Sequence, residues 1–309
     1  MMSNFTKWVK QQKHVLLDSS MSLGLEERGL NLDSRLWTAD ALKKHSNLIT
    51  DVHKSYFDSG SNLTTLDTYQ ASIPGLIKAG YSEQEAVELL KKAVEVAKKG
   101  RKQSQTNQPK WLAAGIGPYG AYLANGAEYT GDYELSDKQY VDFHKERIQV
   151  LINAGIDVLM LETMPKFKEI KAVVNYLANA NIPVIVSCSL LDANHISDGT
   201  PIMVVQNFLE QKPYVIAYGI NCVDPELVTP ALKNLTTNVS NHKDLIVFPN
   251  LGAAYNPKIK KWTDDGISEH DFNHLAKQWL RLGVKYVGGC CCMSEKRTRS
   301  LGRVLQQTI

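Results

Sequence analysis

Short apolar runs alternate with longer amphipathic ones from one end of the 309-residue chain to the other, and this alternation restricts the fold more than any other feature. The apolar runs predict eight strands, over 15–20, 63–69, 111–118, 158–163, 184–189, 215–222, 245–250 and 286–291. Helical periodicity predicts eight helices, over 38–59, 82–99, 136–154, 166–180, 201–211, 225–239, 268–282 and 294–307. Runs such as VIVSCSLL and LIVFPN are apolar at nearly every position, as parallel strands covered on both faces require; half-exposed strands would alternate. Eight βα units with short links predict the α/β class and a single (β/α)8 TIM barrel, with 1–309 as one domain and 1–13 as a short N-terminal lead. An open doubly wound sheet uses the same alternation and is the alternative. Ser82 with Glu85 reads as a capping box, and Pro118, Pro165, Pro183, Pro225 and Pro249 fall at element edges, where a missing N–H costs little.

Charge narrows the partners. Thirty-five Lys and Arg against 32 Asp and Glu give a net charge of +3 without a basic cluster, so neither nucleic acid nor an acidic membrane surface is an expected partner. The segment before Asp18 has no signal-peptide core, and no apolar run reaches the roughly 18 residues of a membrane span, so a soluble, cytoplasmic protein is expected.

In a barrel of parallel strands the chemistry sits at the C-terminal strand ends, and the unusual residues fall there. Asp18 ends the first predicted strand, Tyr69 the second, Glu162 the fourth, Asn221 and Cys222 the sixth, and Cys290 and Cys291 the eighth. The five cysteines, three of them consecutive at 290–292, do not suit a disulfide framework. Gly288 and Gly289 let the last strand bend so that Cys290 and Cys291 turn toward Cys222, and three thiolates with an open fourth position match a catalytic zinc site. Cys188, inside an apolar run, reads as a core thiol. Adjacent cysteines are poor disulfide partners and no CxxC is present, which disfavours a thiol oxidoreductase. Glu162 closes a nearly all-apolar strand and needs a partner, either a structural Arg or Lys or a substrate amino group; Asp18 poses the same question. Gly115 to Gly120 spells GxGxxG, but Pro118 removes a donor and the following residues read as loop, so a phosphate cradle is not expected. His195 reads as a turn residue within reach of the barrel mouth, and His270 with His274 as a solvated helix start.

These residues, in this order, resemble the homocysteine S-methyltransferase family. The likeness runs over about 15–304 and rests on LLDSSMSLGLEERG (16–29), LW (36–37), TYQAS (68–72), GPYGAYLANGAEYTGDY (117–133), LETMP (161–165), SDGTP (197–201), GINC (219–222), FPN (248–250) and GGCC (288–291). The resemblance implies a homocysteine-binding (β/α)8 barrel, Zn2+ on Cys222, Cys290 and Cys291, and methyl transfer from S-methylmethionine or S-adenosylmethionine to homocysteine, giving methionine. It implies that Asp18 and Glu162 hold the amino acid moiety; Tyr69 and Asn221 join them as candidate substrate-binding residues. No catalytic side chain is required beyond the substrate thiolate at the metal, and Tyr69, Tyr119 or Trp37 offers a ring for the donor cation. The alternative is a divergent barrel of the same family that acts on or binds another small thiol or amino acid. Four places depart from the family pattern: Ser19-Ser20 where Gly-Gly or Gly-Ala is usual, Gly24 for a polar residue, Leu251-Gly252-Ala253 for Ser-Gly-Glu, and Cys292 for Arg.

Overall fold

A computed structural model describes residues 2–32, 38, 41–237, 243–252, 255–256, 261–262 and 266–307. Its main sheet holds eight parallel strands: β1 Val15–Leu16, β2 Leu63–Thr65, β3 Trp111–Ile116, β4 Val158–Met164, β5 Val184–Cys188, β6 Val215–Asn221, β7 Asp244–Phe248 and β8 Val284–Val287. Their order, β1-β8-β7-β6-β5-β4-β3-β2, leaves β1 and β2 at the two ends. A parallel bridge from Leu17 to Leu63, with the Asp18 N–H donating to the Leu63 carbonyl at 3.0 Å, joins those ends. The sheet therefore closes, and the open-sheet alternative is excluded. A small antiparallel ribbon, Tyr255–Asn256 with Lys261–Trp262, follows β7.

All eight predicted strands are present, but β1, β2 and β8 stop at Leu16, Thr65 and Val287, well before the predicted ends. The residues beyond leave the ladder to form the mouth, so β-like sequence continues where β pairing does not.

Strand alternation sorts the core into two layers. In β4, Val158 and Met160 face the barrel interior, while Leu159 and Leu161 pack outward against the helices. The same parity carries Glu162 inward at the top of β4. In β6 it carries Ala217 and then Asn221 inward. The outer layer is covered by α4 Ser46–Asp58, α6 Glu83–Gln103, α8 Asp137–Asn153, α9 Phe167–Tyr176, α10 Ile202–Glu210, α11 Pro225–Thr237, α12 Glu269–Arg281 and α13 Glu295–Gln307. The Ser82–Glu85 capping box forms as expected at the start of α6.

Five helices were not anticipated as separate elements. The predicted helix over 38–59 divides into α3 Ala41–Lys44 and α4, and α2 Met21–Glu26, α5 Ile73–Lys78 and α7 Tyr119–Leu123 follow β1, β2 and β3. The fifth, α1 Asn4–Val9, lies in the N-terminal lead and is capped by Ser3, whose hydroxyl accepts from the Thr6 N–H at 3.1 Å. Phe5 and Val9 are buried in the interior cluster, and the Phe5 ring meets Trp111, the first residue of β3, edge-on at 5.5 Å. The lead thus plugs the N-terminal end of the barrel, opposite the mouth. Among the described residues, no helix is long and apolar enough to cross a membrane.

Candidate metal and substrate site

Cys222, Cys290 and Cys291 converge at the mouth, with their sulfurs all within 4.8 Å of one another. The Cys222–Cys291 and Cys290–Cys291 separations are 3.8 and 4.0 Å. Tetrahedral ligation with metal–sulfur bonds of about 2.3 Å places sulfurs about 3.8 Å apart, so the cluster fits a tetrahedral ion with one position left for another ligand. At β8 the bend follows Gly288 and Gly289, as the sequence indicates. At β6 no glycine directly precedes Cys222; Cys222 itself adopts the left-handed region, φ 50°, which overrides strand alternation and swings its sulfur into the mouth. The Cys290 and Cys291 thiols and the Tyr129 hydroxyl, 3.3 Å away, hydrogen-bond to the Cys222 sulfur and hold it well below the usual thiol range, against burial. Cys188 is buried in the outer core, and burial pushes its thiol up to about 12.

Two buried carboxyls share the cavity with the thiols. Asp18, 6% exposed, accepts from the Thr65 N–H at 2.7 Å and from its hydroxyl at 3.3 Å. Burial raises it to about 8, the Thr65 hydrogen bonds opposing. Glu162, 8% exposed, is also raised to about 8, first by burial and then by the negative charges of Asp18 and Cys222. Among the described residues, no Arg, Lys or His lines this cavity. Of the two partners the sequence leaves open for these carboxyls, the described lining residues supply no structural cation.

Asn221 does not line the cavity. It is fully buried, with Oδ1 accepting from the Thr163 N–H and the Ser187 hydroxyl, both at 2.7 Å, and Nδ2 donating to the Thr163 hydroxyl at 2.7 Å. Inward parity buries Asn221 one residue below the mouth, so substrate contact gives way to a positioning role. What it positions is strained: Thr163 has φ 56°, a conformation that a β-branched residue rarely adopts, and the ladder register shifts between Leu161 and Met164. Tyr69 lines the cavity as expected, its hydroxyl on the side of Thr163.

The loop after β3 is braced from behind by a fully buried network that carried no sequence signal. Arg147 donates to His144 Nδ1 at 2.8 Å, to the Gly117 carbonyl at 3.0 Å and to the Tyr69 carbonyl at 3.2 Å. Arginine only donates, so His144 Nδ1 accepts and its Nε2–H donates to Glu169 Oε1, 2.7 Å away. Burial keeps this imidazole below its ordinary value. Glu169 also accepts from the Tyr119 N–H at 2.7 Å and from the Tyr133 hydroxyl. The loop so held carries Glu128 and Tyr129 to the cavity.

The GxGxxG pattern has a packing explanation. A Cβ on Gly115 would lie 2.1 Å from Glu162 Oε1, one on Gly117 2.6 Å from the Tyr69 carbonyl, and one on Gly120 2.7 Å from the Glu128 nitrogen. Each glycine makes room for another part of the site. The short helix α7 begins inside the motif, at Tyr119, and residues 124–132, expected as loop, form turns with a single 3-10 turn over Ala127–Tyr129. Tyr119 packs against Tyr122, Tyr133 and Phe143, away from the cavity, which removes it as a donor platform. Trp37 lies outside the described residues. His195 Nδ1 sits 2.9 Å from Asp192 Oδ1 in the turn after β5, and His270 and His274 are exposed on α12.

Comparison with known proteins places this architecture. A family model described as homocysteine S-methyltransferase matches residues 15–305. The homocysteine S-methyltransferase YbgG of Bacillus subtilis (strain 168) is 37% identical over 285 residues, 90% of each chain. The chain belongs to the homocysteine S-methyltransferase family. The homocysteine S-methyltransferase of Escherichia coli (strain K12) is likewise 37% identical, over 91% of this chain and 92% of that protein. The crystal structure of the homocysteine methyltransferase MmuM from Escherichia coli in its metallated form superposes with a TM-score of 0.86 at 34% identity, covering 96% of this chain and 98% of that one. The chain is therefore a methyltransferase on a TIM barrel.

Against this family background, the two serines at the first strand end both line the cavity and bond to the surrounding fold. Ser20 caps α2, accepting from the Leu23 N–H at 3.2 Å, and Ser19 hydrogen-bonds Thr298 at 2.8 Å. Gly24 lies against α4, where a Cβ would meet Val52 at 2.8 Å, so any side chain would push the two helices apart. Leu251 is buried, its carbonyl accepting from the Ile267 N–H at 2.8 Å. Ala253 lies outside the described residues. Cys292 packs partly buried against the outer core in a left-handed turn, φ 64°. Nothing in the structure explains why a cysteine stands there.

Proposed function

We propose that this homocysteine S-methyltransferase uses a sulfonium compound, S-methylmethionine or S-adenosylmethionine, as methyl donor, and that Cys222, Cys290 and Cys291 hold a zinc ion. The observation that carries the proposal is one cavity joining a three-thiol cluster of tetrahedral spacing to two buried carboxylates that have no cationic side chain beside them among the described lining residues. Zinc in such a site supplies a Lewis acid that keeps a thiol deprotonated at neutral pH, where a free thiol is mostly protonated.

The chain's own residues account for the rest. Asp18 and Glu162 accept the homocysteine α-ammonium, which orients the amino acid and offsets one of their two negative charges. Asn221 keeps Thr163 in its left-handed turn, which fixes Glu162 before it and the Tyr69 hydroxyl beside it. In the transfer a carbon–sulfur bond forms to the homocysteine sulfur as the donor's carbon–sulfur bond breaks. The electron pair of the broken bond stays on the donor sulfur, which becomes a neutral thioether. Opposite charges annihilate as the methyl moves, so a cavity of low polarity favours the step and no general base is needed during it.

The test is a methionine-formation assay on metal-loaded protein with each sulfonium separately, together with metal analysis of reduced protein. Zinc at about one per chain and turnover with at least one sulfonium are expected. Turnover with neither, in zinc-loaded protein, sinks the donor assignment. Full metal content in Cys291→Ser sinks the ligand assignment.

A further inference from the structure

The cavity wall carries more acid than an amino-acid acceptor needs. Besides Asp18 and Glu162 it is lined by Asp67 and Glu128, with no basic side chain among the described lining residues. Asp67 is 5% exposed; the Thr38 hydroxyl donates to its Oδ1, while Oδ2 is buried with no hydrogen-bond partner among the described residues. Glu128 repeats the pattern, its Oε2 buried and likewise unpartnered. This is not a loose side chain on a mobile turn. The Ser189 hydroxyl donates to the Glu128 carbonyl at 2.8 Å, and the turn rests on the bare Cα of Gly120. Glu128 precedes Tyr129, whose hydroxyl touches Cys222, so it belongs to the sulfur side of the cavity; Asp67, after β2, belongs to the Thr38 side.

Buried carboxylate oxygens without a donor are costly unless a cation arrives to pair with them. The acceptor brings one ammonium, already matched by Asp18 and Glu162. A donor of the class proposed above brings two further positive groups, its sulfonium and its own α-ammonium. We propose that Glu128 and Asp67 form the subsite for the methyl donor, with Glu128 facing the sulfonium beside the cysteine cluster and Asp67 receiving the donor's ammonium; this rests on the sulfonium reading of the function. The arrangement separates donor from spent product. Methyl loss removes the positive charge next to Glu128, so the neutral thioether is held less firmly than the sulfonium it came from. Glu128 serves binding and not the methyl step, because the charge it attracts is vanishing in the transition state.

The test uses Glu128→Gln and Asp67→Asn in the full-length, metal-loaded enzyme, with KM and kcat measured for S-methylmethionine and KM for homocysteine. Binding of S-methylmethionine alone is followed by equilibrium dialysis. Each variant should raise the donor KM and dissociation constant about tenfold, the usual scale for losing a charged hydrogen bond. Metal content and homocysteine KM should stay near wild type, and kcat for Glu128→Gln should hold or rise, since only ground-state attraction is removed. Glu128→Asp, which keeps the charge, should recover part of the donor affinity. Donor KM within twofold of wild type in both variants, or homocysteine KM raised as much as donor KM, overturns the subsite. Failure of the wild-type enzyme to bind or use any sulfonium overturns the functional reading beneath it, a distinct result.

Discussion

Replacing Glu162 with glutamine should stabilise the substrate-free protein at alkaline pH while impairing homocysteine binding. Glutamine keeps the shape of the side chain but cannot ionise. Glu162 is raised from 4.5 to about 8 in the folded protein, chiefly by burial. A raised acid lends its stability fully below its unfolded value, then loses it as pH climbs to the folded value, because the unfolded chain ionises freely and the native one does not. Over the full interval from 4.5 to 8, at about 1.4 kcal/mol per pH unit, the loss has a ceiling of about 5 kcal/mol. Between pH 6 and 9 the titration still has about two units to run, so the stability gap between Glu162→Gln and wild type should widen by about 3 kcal/mol. Urea unfolding of both proteins at pH 6, 7, 8 and 9, with metal content matched and no substrate, measures that gap. The gap should level off above pH 8. Over the same series Glu162→Gln should show a homocysteine KM raised at least about tenfold, since the ammonium loses a charged partner. A stability gap that stays constant across the series would show that Glu162 is ionised and compensated in the free protein, and the claim that the cavity awaits a cation would fall.

Three further outcomes follow from the geometry. Gly115→Ala puts a Cβ 2.1 Å from Glu162 Oε1 and 2.7 Å from Thr65, so homocysteine KM should rise sharply while metal content holds; steady-state kinetics with wild-type KM would contradict the packing role of this glycine. Asn221→Ala strips the acceptor from the Thr163 N–H and the Ser187 hydroxyl, which should cost about 1–3 kcal/mol and lower kcat/KM. Adding Thr163→Gly, which takes φ 56° freely, should return part of the stability, and thermal unfolding of single and double variants checks this. Phe5→Ala empties the plug at the far end of the barrel and should destabilise by about 3–5 kcal/mol in urea unfolding, with kcat and KM unchanged.

The cysteine cluster shows how far residue order reaches. Gly288-Gly289-Cys290-Cys291 announces a bend with thiols beyond it, and GINC announces a thiol at another strand end; in a barrel, strand ends meet at one mouth wherever they lie in the chain. Glu162 was equally readable, because a carboxylate closing the apolar run VLMLE has to be accounted for. Asp67 and Glu128 were not, since an acid in a polar loop is unremarkable until the fold buries one of its oxygens. The Glu169–His144–Arg147 network was hidden for the same reason. Its members are ordinary helix residues until α8 and α9 press them together.

Asn221 marks the division most clearly. Its place at a strand end is written in the chain, and so is the βα alternation that makes the strand, because apolar period and capping residues act over a few neighbours. Whether its side chain reaches substrate or props up another strand depends on barrel closure between Leu17 and Leu63 and on the left-handed turns at Thr163 and Cys222. Those turns are unfavourable for their residue types and exist only because hydrogen bonds and packing from distant segments hold them. Local preferences could therefore lay out the eight units and place the thiols, while the direction of each side chain at the mouth was decided by tertiary contacts strong enough to override them.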